Sequence, residues 1–443
     1  MGIRSDAVRC GAHRRVARVM GVVLVLAGVV EAGDTLLVSA TPEGASGDEE
    51  SGGVFGRQSI SGNGRFVAFE SRASDLGPED TNNDWDIYVW DRKKGTKVRA
   101  SVAANGAPNG ASGLNGILSA NGRYVAFQSS DSDLVDVVET GFDSDIFVRD
   151  LKKGVTTRVS VDPAGAEADG QSHAPHISAN GRWVVFQSAA GNLVAGDDNG
   201  ILDVFLHDRK KGTTVRASVD STGAQVGGDS FGATVSDNGR YVLFESASSE
   251  LVPNDRNGTS DIFLRDTKLG TTVRLSVNAE GEEGDGSSHA AMISGNGRFA
   301  AFASHATNLV EDDGLATADI FVRDLKLGTI ERVSLDAQGD DADGNSGTPW
   351  ITRNGRFVAF ETDATDLLAD IDLDDETDVY LYDRKNTGLV RASVAAEGFD
   401  VSGKSEGAVA SNNGRFIVFE SDAEDLVPGD VNEARDVFLR DSK

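Results

Sequence analysis

The chain has 443 residues, of which 39% are hydrophobic, and its formal net charge is -29. A chain of this length can bury a large core, and closed repeat folds reach this size as single domains. A surface this acidic repels phosphate backbones and anionic lipids, which excludes nucleic acid and membrane surfaces as partners and favours cations or basic partners.

Residues 1-32 have the composition of a secretory signal peptide. Five arginines precede the apolar stretch "VMGVVLVLAGVV" at 19-30, and Val30 and Ala32 are small residues before Gly33. About 12 apolar residues are too few to cross a bilayer, which needs roughly 20. We therefore predict cleavage before Gly33 and export of residues 33-443 to the periplasm or the extracellular space. Removal of the single cysteine, Cys10, leaves no disulfide or lipid anchor, and we expect a monomer that is free of the membrane.

The rest of the chain repeats one pattern seven times, with a period of about 58 residues. The stretch "ISANGRWVVFQS" at 177-188 has six close copies, and the Asn of each Asn-Gly-Arg is separated from the next by 58 or 59 residues. The seven copies of this residue are Asn63, Asn121, Asn180, Asn238, Asn296, Asn354 and Asn413. A constant period without linkers indicates stacked repeat units.

Each repeat predicts four strands in the same order. An Asn-Gly pair between two β-rich runs predicts a tight hairpin, and we expect a type I′ turn with positive φ at both residues. Runs such as Trp183-Val184-Val185-Phe186 are apolar at every position, so both faces of the strand must be covered. A third run, such as Asp203-Val204-Phe205-Leu206, and a fourth ending in "TVRASV" complete the unit.

Seven stacked four-stranded sheets predict an all-β fold, a seven-bladed β-propeller of antiparallel blades. The alternative, a parallel β-helix, has shorter coils and needs no hairpin in each unit. The last repeat lacks its fourth strand, whereas "TLLVSATPEG" at 35-44 has the pattern of "TVRASVDSTG" at 214-223. We predict that Leu36 to Ser39 pairs beside Val437 to Leu439 as the outer strand of the last blade and closes the ring.

The repeat resembles the WD-like propeller repeat of TolB-type proteins. The resemblance rests on Ser-x-Asn-Gly-Arg-aromatic-Val-Ala-Phe followed by Asp-Ile-Phe-Val-Arg-Asp, and it covers residues 33-443. The chain has x-Asn-Gly where the family has Pro-Asp-Gly, and it lacks the separate α/β domain that precedes the TolB propeller. The resemblance implies a secreted or periplasmic propeller that serves as a binding platform more often than as an enzyme.

Residues that recur in every blade are expected to be structural. One Arg and one Asp occupy equivalent positions in each repeat, as Arg182 and Asp208 do in the third. We predict that they form an ion pair between strands. Serines also recur by repeat position, and none lies in a Gly-x-Ser-x-Gly elbow, so no nucleophilic triad is indicated.

Histidines interrupt the repeat and are therefore candidates for a channel site. His173 and His289 occupy the same position in repeats three and five, near the start of the innermost strand, and His176 is close by. Propeller lyases that act on uronate oligosaccharides resemble this fold and hold a divalent metal with histidines near the axial channel. A metal-dependent polysaccharide lyase or hydrolase is therefore the alternative function, the other interpretation being polar residues at a wet channel mouth.

Acidic loops between the second and third strands are candidate calcium sites. Five repeats carry oxygen-bearing side chains at positions 1, 3 and 7 of the loop, and these are the hard ligands that Ca²⁺ takes. The candidate ligands are Asp80, Asn82, Asp86; Asp197, Asn199, Asp203; Asp255, Asn257, Asp261; Asp372, Asp374, Asp378; and Asp430, Asn432, Asp436. Repeats two and five keep only Glu139 with Asp145 and Asp313 with Asp319. The alternative is that these residues form Asx-turns and bind no ion.

Taken together, these features predict an exported scaffold that binds a protein or carbohydrate partner and is stabilised by calcium. No catalytic constellation is recognisable. An apolar axial channel would favour binding, whereas convergent His, Asp and Arg side chains would favour catalysis.

Overall fold

The computed structural model describes residues 33-53, 58-77, 80, 82, 84-104, 113-135, 143-369, 376-395 and 401-443. The predicted signal peptide lies outside these residues. The described residues form seven antiparallel sheets of four strands each, which confirms the seven-bladed β-propeller. In this part of the chain no helix has the length and apolar character needed to cross a membrane.

Each blade runs from its innermost to its outermost strand in chain order, except that the last blade takes its outermost strand from the beginning of the chain. Blade 1 contains β2 (Ser59–Ile60), β3 (Phe66–Ser71), β4 (Asp86–Asp91) and β5 (Thr96–Arg99). Blade 2 contains β6 (Leu114–Leu118), β7 (Tyr124–Ser129), β8 (Asp145–Asp150) and β9 (Val155–Arg158). Blade 3 contains β10 (Ser172–Ile177), β11 (Trp183–Ser188), β12 (Asp203–Asp208) and β13 (Thr213–Arg216). Blade 4 contains β14 (Ser230–Val235), β15 (Tyr241–Ser246), β16 (Asp261–Asp266) and β17 (Thr271–Arg274).

The remaining blades follow the same plan. Blade 5 contains β18 (Ser288–Ile293), β19 (Phe299–Ser304), β20 (Asp319–Asp324) and β21 (Ile330–Arg332). Blade 6 contains β22 (Ser346–Ile351), β23 (Phe357–Thr362), β24 (Asp378–Asp383) and β25 (Gly388–Arg391). Blade 7 contains β26 (Ser405–Ala410), β27 (Phe416–Ser421), β28 (Asp436–Asp441) and β1 (Thr35–Leu37).

The two ends of the chain close the ring, as predicted. Leu36 of β1 pairs antiparallel with Leu439 of β28. The pairing continues beyond the strand, because the Val38 amide donates to the Val437 carbonyl at 2.7 Å. Strand β28 is therefore covered on its outer side and presents no free edge.

The core lies between the blades. Val184, Val185 and Phe186 of β11 are fully buried, because one face of the sheet packs on blade 2 and the other on blade 4. The Phe186 ring stacks on Phe205 of the same blade with 5.9 Å between ring centroids, and every other blade has an equivalent aromatic pair. Continuous apolar runs therefore indicated stacked sheets correctly.

The Asn-Gly hairpins form, but the type I′ turn was a wrong prediction. In blade 3 the Gly181 amide donates to the Ser178 carbonyl at 2.9 Å, and Gly181 has φ of 75° while Asn180 keeps a negative φ. The Asn180 side-chain oxygen instead accepts hydrogen bonds from the Arg182 amide at 2.9 Å and from the Ser178 hydroxyl at 3.1 Å. This local bonding makes Asn a turn residue without requiring positive φ.

The recurring Arg and Asp form the predicted ion pair in each blade. Arg182 donates to Asp208 from Nε at 2.8 Å and from Nη2 at 2.6 Å. The paired arginine lowers the pKa of the Asp208 carboxyl below its usual range. The other six pairs are Arg65–Asp91, Arg123–Asp150, Arg240–Asp266, Arg298–Asp324, Arg356–Asp383 and Arg415–Asp441. This interaction braces the start of the second strand against the end of the third.

Candidate functional site

The innermost strands carry bulges that lie around the propeller axis. In β10 the register shifts between His173 and His176, and Ala174 in the bulge has φ of 47°. Its amide donates to Gln128 Oε1 of blade 2 at 3.0 Å. Equivalent contacts join Asn115 to Glu70, Gly232 to Gln187, Ala290 to Glu245 and Gly407 to Glu361. These contacts link the blades and place mostly small residues around the channel.

The axial channel contains two cavities with largely apolar walls. The larger, of about 170 Å³, is lined by Gln58, Ile117, His176, Gly232, Thr234, Ala290, Ala291, Met292, Thr348, Pro349, Trp350, Gly407, Ala408 and Val409. A smaller cavity of about 60 Å³ lies nearer the hairpins and shares His176, Met292 and Trp350 with the larger one. His176 is the one ionisable residue among those that line the larger cavity. The walls of the channel are therefore mainly apolar, a character that favours binding over catalysis.

Polar contacts between the hairpins narrow one end of the channel. The Asp237 amide donates to the Gly295 carbonyl, and the Asn412 amide donates to the Gly62 carbonyl, both at 3.0 Å. Arg353 of blade 6 donates from Nε to Asp237 of blade 4 at 2.8 Å, across the hairpin of blade 5. The charged groups at this end are thus paired with one another.

The three candidate histidines do not converge. His173 Nδ1 lies 3.2 Å from the Ser144 hydroxyl, whereas the His289 ring lies 5.7 Å from His305. Neither His173 nor His289 lines the two cavities, but His176 does, and its Nδ1 accepts a hydrogen bond from the Val235 amide at 3.2 Å. Burial lowers the pKa of both His173 and His289, which favours their neutral forms. The contact with His305 had no signal in the repeat pattern.

An arginine from the outermost strand enters the acidic loops. In blade 3, Arg216 Nη1 lies 3.0 Å from Asp197 and 3.3 Å from Asp203, at the two ends of the loop motif. The Ser218 hydroxyl donates to the other oxygen of Asp203 at 2.5 Å. Asn199 turns its amide nitrogen to Asp203, at 3.2 Å. The loop residues thus come together as predicted, but around a guanidinium.

The same arginine position is filled in blades 1 to 6. Arg99 contacts Asp80 and Asp86; Arg158 contacts Asp145; Arg274 contacts Asp255 and Asp261; Arg332 contacts Asp313 and Asp319; and Arg391 contacts Asp378. In blades 1 and 4, Asn82 and Asn257 accept hydrogen bonds from backbone amides of their own loops. Asp372, Asp374 and Glu139 lie outside the described residues. Sequence reasoning missed this arginine, although it occurs as "VRAS", "VRLS" or "RVS" at the same place in each of the first six repeats.

Blade 4 holds the tightest group of acids in the described residues. Ligand oxygens of Asp255, Asp261 and Glu283 lie within 4.8 Å of one another, which makes a metal site geometrically possible there. Arg274 Nη1 nevertheless lies 3.5 Å from Asp255 and 3.1 Å from Asp261, and it also bonds Glu283. Burial raises the pKa of Asp255 to about 6, and the neighbouring Asp261 adds to the effect. Calcium in these arginine-filled loops stays a prediction.

Solved structures similar to the chain include oligogalacturonate lyases and a TolB protein. An oligogalacturonate lyase from Vibrio parahaemolyticus is 11% identical with a TM-score of 0.54, and the match covers 93% of this chain and 98% of the lyase. An oligogalacturonate lyase in complex with manganese matches with the same values. TolB from Acinetobacter baumannii is 14% identical with a TM-score of 0.42, over 75% of this chain and 64% of TolB.

These matches establish the propeller fold and leave the activity open. TolB is among the similar structures, and the seven four-stranded sheets confirm the predicted β-propeller. No family model and no curated protein sequence matches the chain.

Proposed function

We propose that the chain is an exported β-propeller that acts as a binding scaffold, with the axial channel as the place where a partner inserts an apolar group. The observation that carries the proposal is the apolar wall of the larger cavity. Its volume of about 170 Å³ is close to that of an engineered protein cavity of roughly 150 Å³ that accepts benzene. The channel has room for one side chain of a protein partner.

The polar residues described above form ion pairs and hydrogen bonds within the propeller, and this supports the proposal. The Arg–Asp pairs brace the blades, the described loop acids of blades 1 to 6 contact arginines, and the bulge amides bond to Glu or Gln. A catalytic site needs ionisable groups that converge on free space. In the larger cavity, His176 alone is of that kind among the lining residues.

The alternative, a metal-dependent lyase, has less support. His173 and His289 contact different neighbours and lie outside the channel cavities. The closest acidic group among the described residues, Asp255 with Asp261 and Glu283, contains no histidine and surrounds Arg274. Incubation with oligogalacturonates and manganese should yield no unsaturated product, and formation of such a product would favour the lyase.

A comparison of two variants tests the scaffold function. Trp350→Ala changes the wall of the channel, whereas Val215→Thr changes an outer-strand residue that is 50% exposed. Wild type and both variants would be used to capture partners from the exported fraction of the source cells, after circular dichroism confirms that they are folded. We expect a partner that wild type and Val215→Thr retain and Trp350→Ala loses. Equal capture by all three would contradict binding in the channel.

Export, monomeric state and calcium binding are further parts of the proposal. Cleavage after Ala32 would leave the Gly33 nitrogen beside the Asp441 carbonyl, 2.8 Å away, so the new terminus is compatible with the closed ring. N-terminal sequencing of the exported protein should begin at Gly33, and retention of residues 1-32 would contradict the cleavage.

Sedimentation should give one propeller per particle. Calcium is proposed as a stabilising ion at one or more of the acidic loops, and calorimetry with chelator-treated protein tests it.

A further inference from the structure

Blade 7 lacks the arginine that fills the acidic loop of every other blade. Its outermost strand comes from the start of the chain, and there Leu37 pairs with Phe438. In blade 3, Arg216 pairs with Phe205 at the equivalent position. Leu37 is partly buried against the apolar core between blades 6 and 7. The positive charge that blades 1 to 6 place beside their loop acids is therefore replaced by an aliphatic side chain.

The acids of this loop remain although their arginine is absent. Asp436 is fully buried and Asp430 is 6% exposed. One oxygen of each, Asp430 Oδ1 and Asp436 Oδ2, has no hydrogen-bond partner. The second oxygen of Asp436 accepts a hydrogen bond from the Ser39 hydroxyl. In blade 3 the equivalent serine, Ser218, donates to Asp203 in the same way. Two neighbouring buried carboxylates without a counter-charge are costly, because each is desolvated and repels the other.

We infer that blade 7 binds a hard cation, of which Ca²⁺ is the best fit, between the carboxylates of Asp430 and Asp436, in the position that an arginine guanidinium takes in the other blades. Asp430 Oδ1 and Asp436 Oδ2 are the protein ligands, and water completes the coordination, as oxygen-ligated cations allow. This inference deepens the calcium part of the proposed function and does not depend on a partner in the channel.

The neighbouring residues are arranged to hold the two acids. Asn432, between them in the loop, donates from Nδ2 to the Gly47 carbonyl at 3.0 Å, and its oxygen accepts from the Ala434 amide at 3.2 Å. Asn432 therefore orders the loop, and its side chain also lies beside Asp436. The Ser46 hydroxyl accepts a hydrogen bond from the Val431 amide at 3.2 Å. Ser46 forms a β-bridge with Ala40, just as Glu283 forms one with Val277 in blade 4. Blade 7 therefore has a serine where blade 4 has its third acid, Glu283.

A proton shared by the two acids is the competing occupant. Burial raises the pKa of Asp436 to about 7, and Asp430 contributes to the shift. A proton and a cation would both offset the repulsion, but only the cation makes stability depend on calcium concentration. At pH 8 the proton competes least, so calcium binding is best measured there.

The test uses the exported chain after chelator treatment, titrated at pH 8 with calcium chloride and, separately, with magnesium chloride. We expect a heat of calcium binding with a stoichiometry near one, a rise in Tm of several degrees, and a weaker response to magnesium. Leu37→Arg restores the guanidinium and should remove both calcium effects while the protein stays folded. No calcium response in the wild type, or an unchanged response in Leu37→Arg, would overturn the inference.

Two further variants keep the result interpretable. Asp436→Asn should abolish calcium binding, and Asp203→Asn, the matched change in blade 3, should leave the calcium heat unchanged because Arg216 already occupies that loop. If Asp203→Asn abolished the heat and Asp436→Asn did not, the site would lie elsewhere. Partner capture by wild type and Trp350→Ala is read separately, so failure of the scaffold proposal and failure of the cation site are distinguishable.

Discussion

Leu36 pairs with Leu439 across the seam of the propeller, and beside them Arg440 donates to the Thr35 hydroxyl at 3.0 Å, between residues 405 positions apart in sequence. The seam also buries Val38 and Ser39 completely. Three consecutive strands and one strand from the opposite end thus make one sheet. Contacts at such separation are slow to form, but once formed they hold both chain ends in the ring.

Deletion of residues 33-42 from the exported chain should lower Tm markedly and cause self-association. The deletion removes Val38 from the core and exposes the edge of β28, at a cost of about 2-5 kcal/mol for one buried aliphatic side chain, before lost hydrogen bonds are counted. Differential scanning calorimetry and size-exclusion chromatography measure the two effects. Unchanged Tm and a single monomer peak would contradict closure by β1.

Substitution of a stacked core aromatic should destabilise the propeller without disturbing the other blades. Phe186→Ala removes a fully buried ring that stacks on Phe205, and we expect a loss of about 3-5 kcal/mol in the free energy of unfolding. Phe186→Leu should cost less because it leaves a smaller cavity. Denaturant titration measures both, and Val215→Thr on the exposed outer strand serves as the control. Equal stability of the two Phe186 variants would contradict tight packing between blades 2 and 3.

Stability should fall as pH rises toward 8, partly through Glu420. Its Oε2 accepts hydrogen bonds from the Gly53 amide at 2.6 Å and Gln58 Nε2 at 2.7 Å, and burial raises its pKa to about 7. Between the ordinary carboxyl pKa and pH 7, the Glu420 carboxyl is protonated in the folded protein and ionised in the unfolded chain. The stabilisation is complete below pH 4 and is lost as pH rises through 7.

Glu420→Gln should therefore flatten the decline in stability between pH 5 and pH 8, by on the order of 1-3 kcal/mol. Glutamine fits, because Gln128 already occupies the equivalent position in blade 2 and accepts the bulge amide of Ala174 at 3.0 Å. Melting curves in chelator at several pH values measure the effect. Glu433→Gln, at an exposed residue, is the control. A steeper pH dependence in Glu420→Gln than in wild type would refute the assignment.

The fold could be predicted because its period, its apolar runs and its truncated last repeat are all visible along the chain. Turn geometry could not, because the Asn180 side chain satisfies the turn through bonds to Ser178 and Arg182 that the type I′ rule does not consider. The loop acids were found, but Arg216 lies one strand further along the chain, and only the register of β12 with β13 brings it beside Asp203. Leu37 takes the place of this arginine in blade 7. Its importance can be recognised only once the contact between Arg216 and Asp203 is known.

The glycine of each Asn-Gly turn should tolerate no side chain, for two separable reasons. Gly181 has φ of 75°, and a Cβ there would overlap the Tyr124 ring of the preceding blade. Gly212 provides the comparison, because it lies in the turn between β12 and β13 and not in an Asn-Gly turn. It has φ of 66°, but a Cβ there would meet nothing within 4 Å. Gly212→Ala thus reports backbone strain alone, about 1-2 kcal/mol, whereas Gly181→Ala should add the cost of displacing the ring, on the order of 1-3 kcal/mol more. Urea titration of both variants measures the difference, and equal losses would mean that Tyr124 moves aside freely.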